Sequence, residues 1–351
     1  MVKVTSTRVR VLSPSLIVPR LEEIERDFMA AWVRMKQNLR PDFAKAEFSY
    51  QSEKKAKMLA ANAHQRRLTE AGLSALAKDP LAQITGLARS GAMLAGPATA
   101  HDVHKLAADL HVESPWMRDV STWLMTQMLS RVAKGESGLA LPPVILAGPP
   151  GVGKSHYARR LAELATVPSR LIDVGSGTAG FRITGTERGW SSAQAGIPVE
   201  TVLSTRVANP VLIVDEVDKA GTIHSVSGKP SSLTTAMLPL LDPGTSCRFE
   251  CPFFRVPIDM SHAVWIMTAN DPDRIPAPLR DRARVFHLSA LTPNDAVAHF
   301  ERLTLGTEDQ HECDQCKVFI ERMAKTPKGI SLRQIGQLVD ALKAPIAPSG
   351  H

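Results

Sequence analysis

One short stretch of the chain has the residue types and the spacing that bind phosphate. Gly148, Gly153, Lys154 and Ser155 fit the pattern G-x-x-x-x-G-K-[ST]. Glycines let backbone N–H groups converge on phosphate oxygens, and a helix that follows them adds positive potential. A lysine in this position reaches the β- and γ-phosphates of a nucleotide, and the serine holds Mg²⁺. The predicted nucleotide-binding residues are Gly148, Pro149, Pro150, Gly151, Val152, Gly153, Lys154, Ser155 and His156.

Two acids and an amide follow later apolar runs. Asp215 and Glu216 come directly after Val211–Val214. At this distance from a phosphate loop, Asp215 is expected to hold Mg²⁺ and Glu216 to polarise an attacking water as a general base. The alternative for these acids is a helix N-cap. Asn270 follows another apolar run, and it either orients water near the γ-phosphate or caps the turn before the next proline.

The elements that must position these residues are predicted from hydrophobic pattern. Helical stretches separate most of the apolar runs, and this alternation predicts an α/β fold with a parallel, doubly wound sheet. Ligands of such sheets lie at the carboxyl ends of the strands. The predicted strands are Val144–Ala147, Leu171–Val174, Val211–Asp215, Ala263–Met267 and Val285–Leu288, and His156–Ala165 is predicted to be the helix after the phosphate loop.

The two ends of the chain are predicted to be helical. Residues 1–18 read as an extended arm, and a helical apolar stripe follows from Leu21 to Met35. A second helix is predicted over residues 52–78, and three more over 293–304, 310–325 and 331–343. We therefore predict an N-terminal helical region and linker (1–100), a large nucleotide-binding domain (101–290) and a small helical lid domain (291–351). The N-terminal stripe fits a plain bundle core better than a partner-docking surface.

Composition narrows the class of protein. The 351 residues are 44% hydrophobic and 22% charged, as in globular proteins, and the formal net charge is +7. Residues 1–80 hold 15 Lys and Arg against nine Asp and Glu. Because no basic run is interleaved with aromatic residues, nucleic-acid binding stays open but is not favoured. Neither a signal peptide nor an apolar run of about 18 residues occurs, so we expect a cytoplasmic protein without membrane contact.

The four cysteines have spacings that allow a metal site. Cys313 and Cys316 form a C-x-x-C pair, and three residues separate Cys247 from Cys251. Together they could make a Cys₄ zinc site. Packing is the preferred interpretation, because a single C-x-x-C at helical spacing is more often structural.

Longer motifs resemble the ATPase module of Lon-type AAA+ proteins. They occur in the family's order and near its spacing, and they cover residues 140–345. The phosphate loop and the Asp215-Glu216 pair then correspond to the Walker A and Walker B motifs. The remaining motifs are Gly185–Trp190, Asn209–Lys219, Pro230–Ser232, Leu240–Pro243 and Ile275–Arg282.

The resemblance implies roles for three more polar residues. Asn270 corresponds to the first sensor, and Arg333 to the second sensor in the helical lid. Arg282 corresponds to the arginine finger, which reaches the ATP of a neighbouring subunit, and a planar guanidinium suits the charge that develops on the γ-phosphate. Such a finger implies self-association as a ring, usually a hexamer. A surface salt bridge is the alternative for either arginine taken singly.

The resemblance also implies contact with a protein substrate. Trp190 corresponds to the aromatic residue of the central-pore loop, which grips unfolded polypeptide, and His224–Lys229 to a second pore loop. Here Ser191 and Ser192 follow the aromatic residue, where the family has an aliphatic residue and a glycine. A buried tryptophan is the alternative.

The expected activity is Mg²⁺-dependent ATP hydrolysis by a Lon-like, chaperone-like ring that remodels or unfolds proteins. Lon proteases follow the lid with a Ser-Lys peptidase domain, whereas this chain stops at His351, so we expect no intrinsic proteolysis. One alternative is a nucleotide-switched assembly or DNA-associated ATPase that works through the basic N-terminal region. The other is the ATPase subunit of a split protease.

Overall fold

A computed structural model describes residues 7–40, 49–174, 179–189, 193–219, 223–224, 230–231, 233–306, 310–327 and 329–343. Its centre is a five-stranded sheet, and three two-stranded sheets lie around it. The strands in chain order are β1 (Arg8–Val9), β2 (Ala92–Met93), β3 (Val144–Ala147), β4 (Ser169–Asp173), β5 (Val211–Asp215), β6 (Ile223–His224), β7 (Pro230–Ser231), β8 (Phe249–Cys251), β9 (Val256–Ile258), β10 (Val264–Ala269) and β11 (Arg284–His287).

The central sheet has the order β11-β3-β10-β5-β4, and every neighbouring pair is parallel. The predicted parallel α/β sheet is therefore confirmed. Strands β3, β10 and β5 are adjacent, with Ala147 opposite Ala269. The residues that follow these strands, Gly148, Asn270 and Glu216, consequently meet at one edge of the sheet.

Helices account for most of the rest of the described chain. Their bounds are α1 (Leu21–Leu39), α2 (Tyr50–Glu70), α3 (Lys78–Ser90), α4 (Ala100–Glu113), α5 (Arg118–Ala133), α6 (Lys154–Leu164), α7 (Ala179–Thr184), α8 (Ile197–Thr205), α9 (Leu233–Leu241), α10 (Pro243–Ser246), α11 (Ala277–Arg280), α12 (Pro293–Leu303), α13 (Gln310–Ala324) and α14 (Leu332–Lys343).

The prediction of one helix over residues 52–78 is wrong. Helix α2 ends at Glu70, and Gly72 takes a φ of +70°, a left-handed conformation that glycine adopts without steric cost. Leu73 then turns inward and is fully buried, and α3 begins only at Lys78. The apolar pattern continued through the break because residues on both sides of it pack on the same core.

The central sheet separates two hydrophobic clusters. Alternate residues of its strands face opposite sides, so Val144 and Leu146 pack with α4, α5 and α6, whereas Ile145 and Ala147 pack with α8 and α9. A third cluster is built from α12, α13 and α14 and has Phe300 and Ile320 fully buried. The sheet is thus covered on both faces, and the C-terminal helices have a core of their own.

The first residues of the described chain pack into the cluster of α8 and α9. Strand β1 pairs with β2, and the amide of Asp259 donates to the carbonyl of Val11 at 2.8 Å. Val11, Leu12, Leu16 and Val18 are buried together with residues of the central strands. The predicted extended arm is therefore part of the core where it is described.

The two buried cysteines lie in different cores. Cys251 is buried in the first cluster and Cys313 in the C-terminal one, while Cys247 is exposed. Within the described ranges, no three His, Cys, Asp or Glu side chains come close enough together to hold a metal ion. Among the described helices, none combines the length and the apolar content that crossing a membrane requires.

Candidate nucleotide-binding site

The phosphate loop joins β3 to α6 at the carboxyl edge of the sheet. Gly151 and Gly153 take φ angles of +83° and +92°, which side chains disfavour. Helix α6 begins at Lys154, directly after Gly153, so its first N–H groups lie beside the loop. The loop can therefore direct several backbone donors at an anion.

Lys154 is almost fully buried, with 6% of its surface exposed. Its Nζ donates to the carbonyls of Gly148 and Pro149 at 2.7 and 2.8 Å and to Oδ1 of Asn270 at 3.0 Å. Burial lowers the pKa of Lys154, and the nearby carboxylates, Asp215 foremost, oppose that shift. The ammonium is thus held at the sheet edge by oxygens that a phosphate can replace.

Ser155 and Asp215 contact each other directly. The hydroxyl of Ser155 donates to Oδ1 of Asp215 at 2.7 Å, and Thr268, fully buried on β10, donates to the same oxygen. A serine hydroxyl and a carboxylate are hard oxygen ligands of the kind that Mg²⁺ prefers. The donor set therefore fits Mg²⁺ bound between the loop and β5.

Glu216 has an unusual backbone for a non-glycine residue, with a φ of +60°. Its amide donates to Oγ1 of Thr268 at 3.1 Å, which fixes this conformation at the end of β5. Asn270 Nδ2 donates to Oε1 of its carboxylate at 2.9 Å, and Lys219 Nζ lies 2.7 Å from Oε2. Asn270 therefore contacts both Lys154, which is predicted to bind phosphate, and Glu216, which is predicted to be the general base.

The start of α14 packs against the phosphate loop. The amide of Leu332, the first residue of α14, donates to the carbonyl of Gly151 at 2.9 Å. A Cβ on Gly151 would lie 2.3 Å from Cβ of Ser331, so the lid packs where only glycine fits. Loop, strands and lid enclose a cavity of about 870 Å³, and its wall includes the predicted residues Lys154, Ser155, His156, Asp215, Glu216, Asn270 and Arg333.

Arg282, a predicted site residue, does not join this constellation. Arg282 follows α11, is exposed, and donates to the carbonyl of Pro278 at 3.4 Å. It does not line the cavity. Trp190 lies outside the described residues, as does the second pore loop beyond His224.

Sequence reasoning missed the residues that brace the site. Thr268 holds Asp215 and Glu216 together, and Trp116 donates from Nε1 to the carbonyl of Val152 at 3.0 Å. Arg160 of α6 makes a bidentate contact with Glu113, at 2.5 and 2.8 Å, and this lowers the pKa of that glutamate. No sequence motif marks Thr268, because its contacts depend on the neighbouring strand β5.

Replacing Thr268 by valine should lower the rate of ATP hydrolysis about tenfold, because the isosteric side chain removes one of the two hydroxyls that donate to Asp215 and leaves the amide of Glu216 without its acceptor. Single-turnover hydrolysis measures the effect, and ATP affinity is expected to stay close to that of the wild type. Thr268→Ser keeps the hydroxyl and serves as the control. Equal rates for the valine variant and the wild type would contradict this role.

Comparison with known proteins agrees with this geometry. Residues 144–290 match the family "AAA: ATPase family associated with various cellular activities (AAA)". The human mitochondrial Lon protease homolog is 37% identical over 155 residues, which is 44% of this chain and 16% of that protein. Lon protease 4 of Sorangium cellulosum is 31% identical over 197 residues, or 56% of this chain and 24% of that protein. The chain thus matches less than a quarter of the length of either relative.

A solved structure shares the fold at low sequence identity. The closed state of Hsp104, determined with ATPγS and FITC-casein, superposes with a TM-score of 0.53 and 16% identity. The match covers 82% of this chain and 55% of that one. At this identity the likeness concerns the fold alone.

Proposed function

We propose that this chain, in which residues 144–290 form an AAA+ ATPase module similar to that of Lon proteases, hydrolyses Mg²⁺-ATP within a ring to remodel or unfold protein substrates. One observation carries the proposal: Lys154, Ser155, Asp215, Glu216 and Asn270 come together from three neighbouring strand ends around one cavity. We propose no proteolysis by this chain, since the identity with Lon proteases covers the ATPase region only.

The phosphates bind along the loop. Lys154 and the N–H groups at the start of α6 bind the β- and γ-phosphates, and Arg333 of α14, which also lines the cavity, contacts the same phosphates. Ser155 and Asp215 hold Mg²⁺, which neutralises phosphate charge when it is bound. Support for this arrangement is the 2.7 Å contact between Ser155 and Asp215.

Glu216 serves as the general base for the attacking water. Its carboxylate lies 2.9 Å from Asn270 Nδ2, and Oδ1 of the same amide accepts from Lys154. Asn270 is therefore suited to orient a water between the phosphate end and the base. Once Lys219 no longer binds Oε2 of Glu216, this carboxylate oxygen is free to accept the proton of the water.

Arg282 acts on a neighbouring subunit. It is exposed and lies outside the wall of its own cavity, so its charge is available to another copy of the chain. A ring, most simply a hexamer, gives every site one such arginine. Cycles of hydrolysis would then move Trp190 against a polypeptide in the central pore.

Trp190 provides the test of protein remodelling. Trp190→Ala should abolish the stimulation of ATP hydrolysis by an unfolded protein such as casein, and also the unfolding of a tagged fluorescent protein, because the residue no longer grips the chain. Trp190→Tyr keeps an aromatic ring and should keep both activities. Unchanged stimulation and unfolding in the alanine variant would contradict substrate threading and leave an ATPase with another output.

A further inference from the structure

The cavity extends beyond the residues that phosphate and Mg²⁺ require. Its wall also includes Ala290, His299 and Leu303, which have no part in the proposed hydrolysis. A nucleotide whose phosphates lie along residues 148–155 must place its ribose and base along the rest of this wall. His299 is the polar side chain that the lid helix α12 contributes there.

The ring of His299 is fixed relative to the phosphate loop. It packs edge-to-face on Trp116, with ring centroids 5.7 Å apart and an interplanar angle of 81°. Trp116 in turn donates to the carbonyl of Val152 within the loop, at 3.0 Å. Trp116 therefore contacts both His299 and the phosphate loop, and it fixes the distance between them.

A guanidinium determines the tautomer of His299. Nδ1 lies 2.6 Å from a terminal nitrogen of Arg302. Arginine has donors but no acceptor, so Nδ1 must accept, and the ring proton of the neutral imidazole resides on Nε2. Arg302 cannot turn away easily, because it also donates to the carbonyls of Val112 and Glu113.

The protonation state agrees with this geometry. Burial, and then the charges of Arg302 and His156, lower the pKa of His299 to about 4. The imidazole is therefore neutral around pH 7, and it offers one donor, Nε2–H. No protein acceptor for this donor is seen among the described residues.

We propose that His299 reads the base of the bound nucleotide, with Nε2–H donating a hydrogen bond to a ring nitrogen of a purine. This inference rests on the proposed ATPase function and adds a residue that recognises the base. A neutral donor matches the acceptor nitrogens of a purine ring, whereas a phosphate would call for a cation. Arg302 is then a positioning residue, since it acts on the nucleotide through His299.

Nucleotide analogues test the proposal in the full-length chain. Dissociation constants of ADP and of 1-deaza-, 3-deaza- and 7-deaza-ADP are measured by calorimetry for the wild type and for His299→Phe, which keeps an aromatic ring against Trp116. One deaza analogue is expected to bind the wild type about tenfold more weakly than ADP, the effect of one lost hydrogen bond. That penalty should vanish in His299→Phe.

A matched pair of amide variants guards against a purely structural effect. In His299→Gln the side-chain amide lies near the position of Nε2, so this variant should still bind that analogue more weakly than ADP. In His299→Asn the amide lies near the position of Nδ1, so this variant should bind the analogue and ADP equally well. His111→Asn, an exposed change on the neighbouring helix α4, is the control and should behave as the wild type.

Three results would overturn the inference. In the first, each deaza analogue loses the same affinity relative to ADP in the wild type and in His299→Phe. In the second, His299→Phe changes the affinity for 2′-deoxy-ADP relative to ADP, which would show that His299 contacts the ribose. In the third, the wild type binds no adenine nucleotide at all, and this result would overturn the proposed function as well. The first two leave the ATPase proposal intact.

Discussion

Glu216→Gln is expected to lower the rate of ATP hydrolysis by about two to four orders of magnitude, because a glutamine cannot accept a proton from the attacking water. ATP binding should persist, since the proposed phosphate contacts come from Lys154, Ser155 and the loop backbone, which this change leaves intact. The amide keeps an oxygen for the 2.9 Å contact with Asn270, so the shape of the site is preserved. Single-turnover hydrolysis and ATP affinity separate the two effects.

The control for this change is Glu200→Gln, which neutralises an exposed glutamate on α8. It should leave both hydrolysis and binding unchanged. A Glu216→Gln variant that hydrolyses ATP within threefold of the wild type would exclude Glu216 as the general base. The loss of ATP binding along with hydrolysis would assign it a structural role instead.

Arg282→Ala is expected to reduce ATP turnover by about three orders of magnitude, the contribution of an arginine that stabilises charge on the transferred phosphoryl group. Since the residue lies outside its own cavity, the loss should appear only through a neighbour. The specific activity of the wild type should rise with protein concentration as rings form. Sedimentation at the same concentrations checks that assembly and activity change together.

Mixing the two inactive variants gives the sharpest form of this test. In a mixed ring, a site can take Glu216 from an Arg282→Ala subunit and Arg282 from a Glu216→Gln subunit, so part of the activity should return. Arg280→Ala removes an exposed arginine from the short helix α11, which precedes Arg282, and should remain active. A mixture that stays inactive, with specific activity independent of dilution, would contradict a shared site.

The parts of the site that could be predicted are those encoded by local sequence. The phosphate loop is continuous in sequence, and β3, β5 and β10 are mostly apolar runs, as is typical of buried parallel strands. Because parallel strands end at a common edge, the meeting of Lys154, Asp215 and Asn270 followed from the strands alone. In the structure Lys154 donates to Asn270, and Ser155, the residue after Lys154, donates to Asp215.

The parts that could not be predicted depend on contacts between distant residues. Trp116 and His299 are far apart in sequence, and neither sits in a recognisable motif. Thr268 has the side chain of an ordinary strand residue, and only the neighbouring strand shows that it braces Asp215. The break at Gly72 was also missed, because the spacing of apolar residues does not indicate where a single residue takes a left-handed backbone conformation.

The N-terminal segment, residues 11–18, is buried against the nucleotide-binding sheet and contributes to the stability of the same core. Val11, Leu12, Leu16 and Val18 are each worth about 1.5–3 kcal/mol of burial, together a large share of the roughly 5–15 kcal/mol by which a domain is stable. A truncation that removes them would therefore damage the ATPase itself. The charge of this region is better altered in place, at the exposed side chains Lys54, Lys55, Arg66 and Arg67, where substitution spares the core.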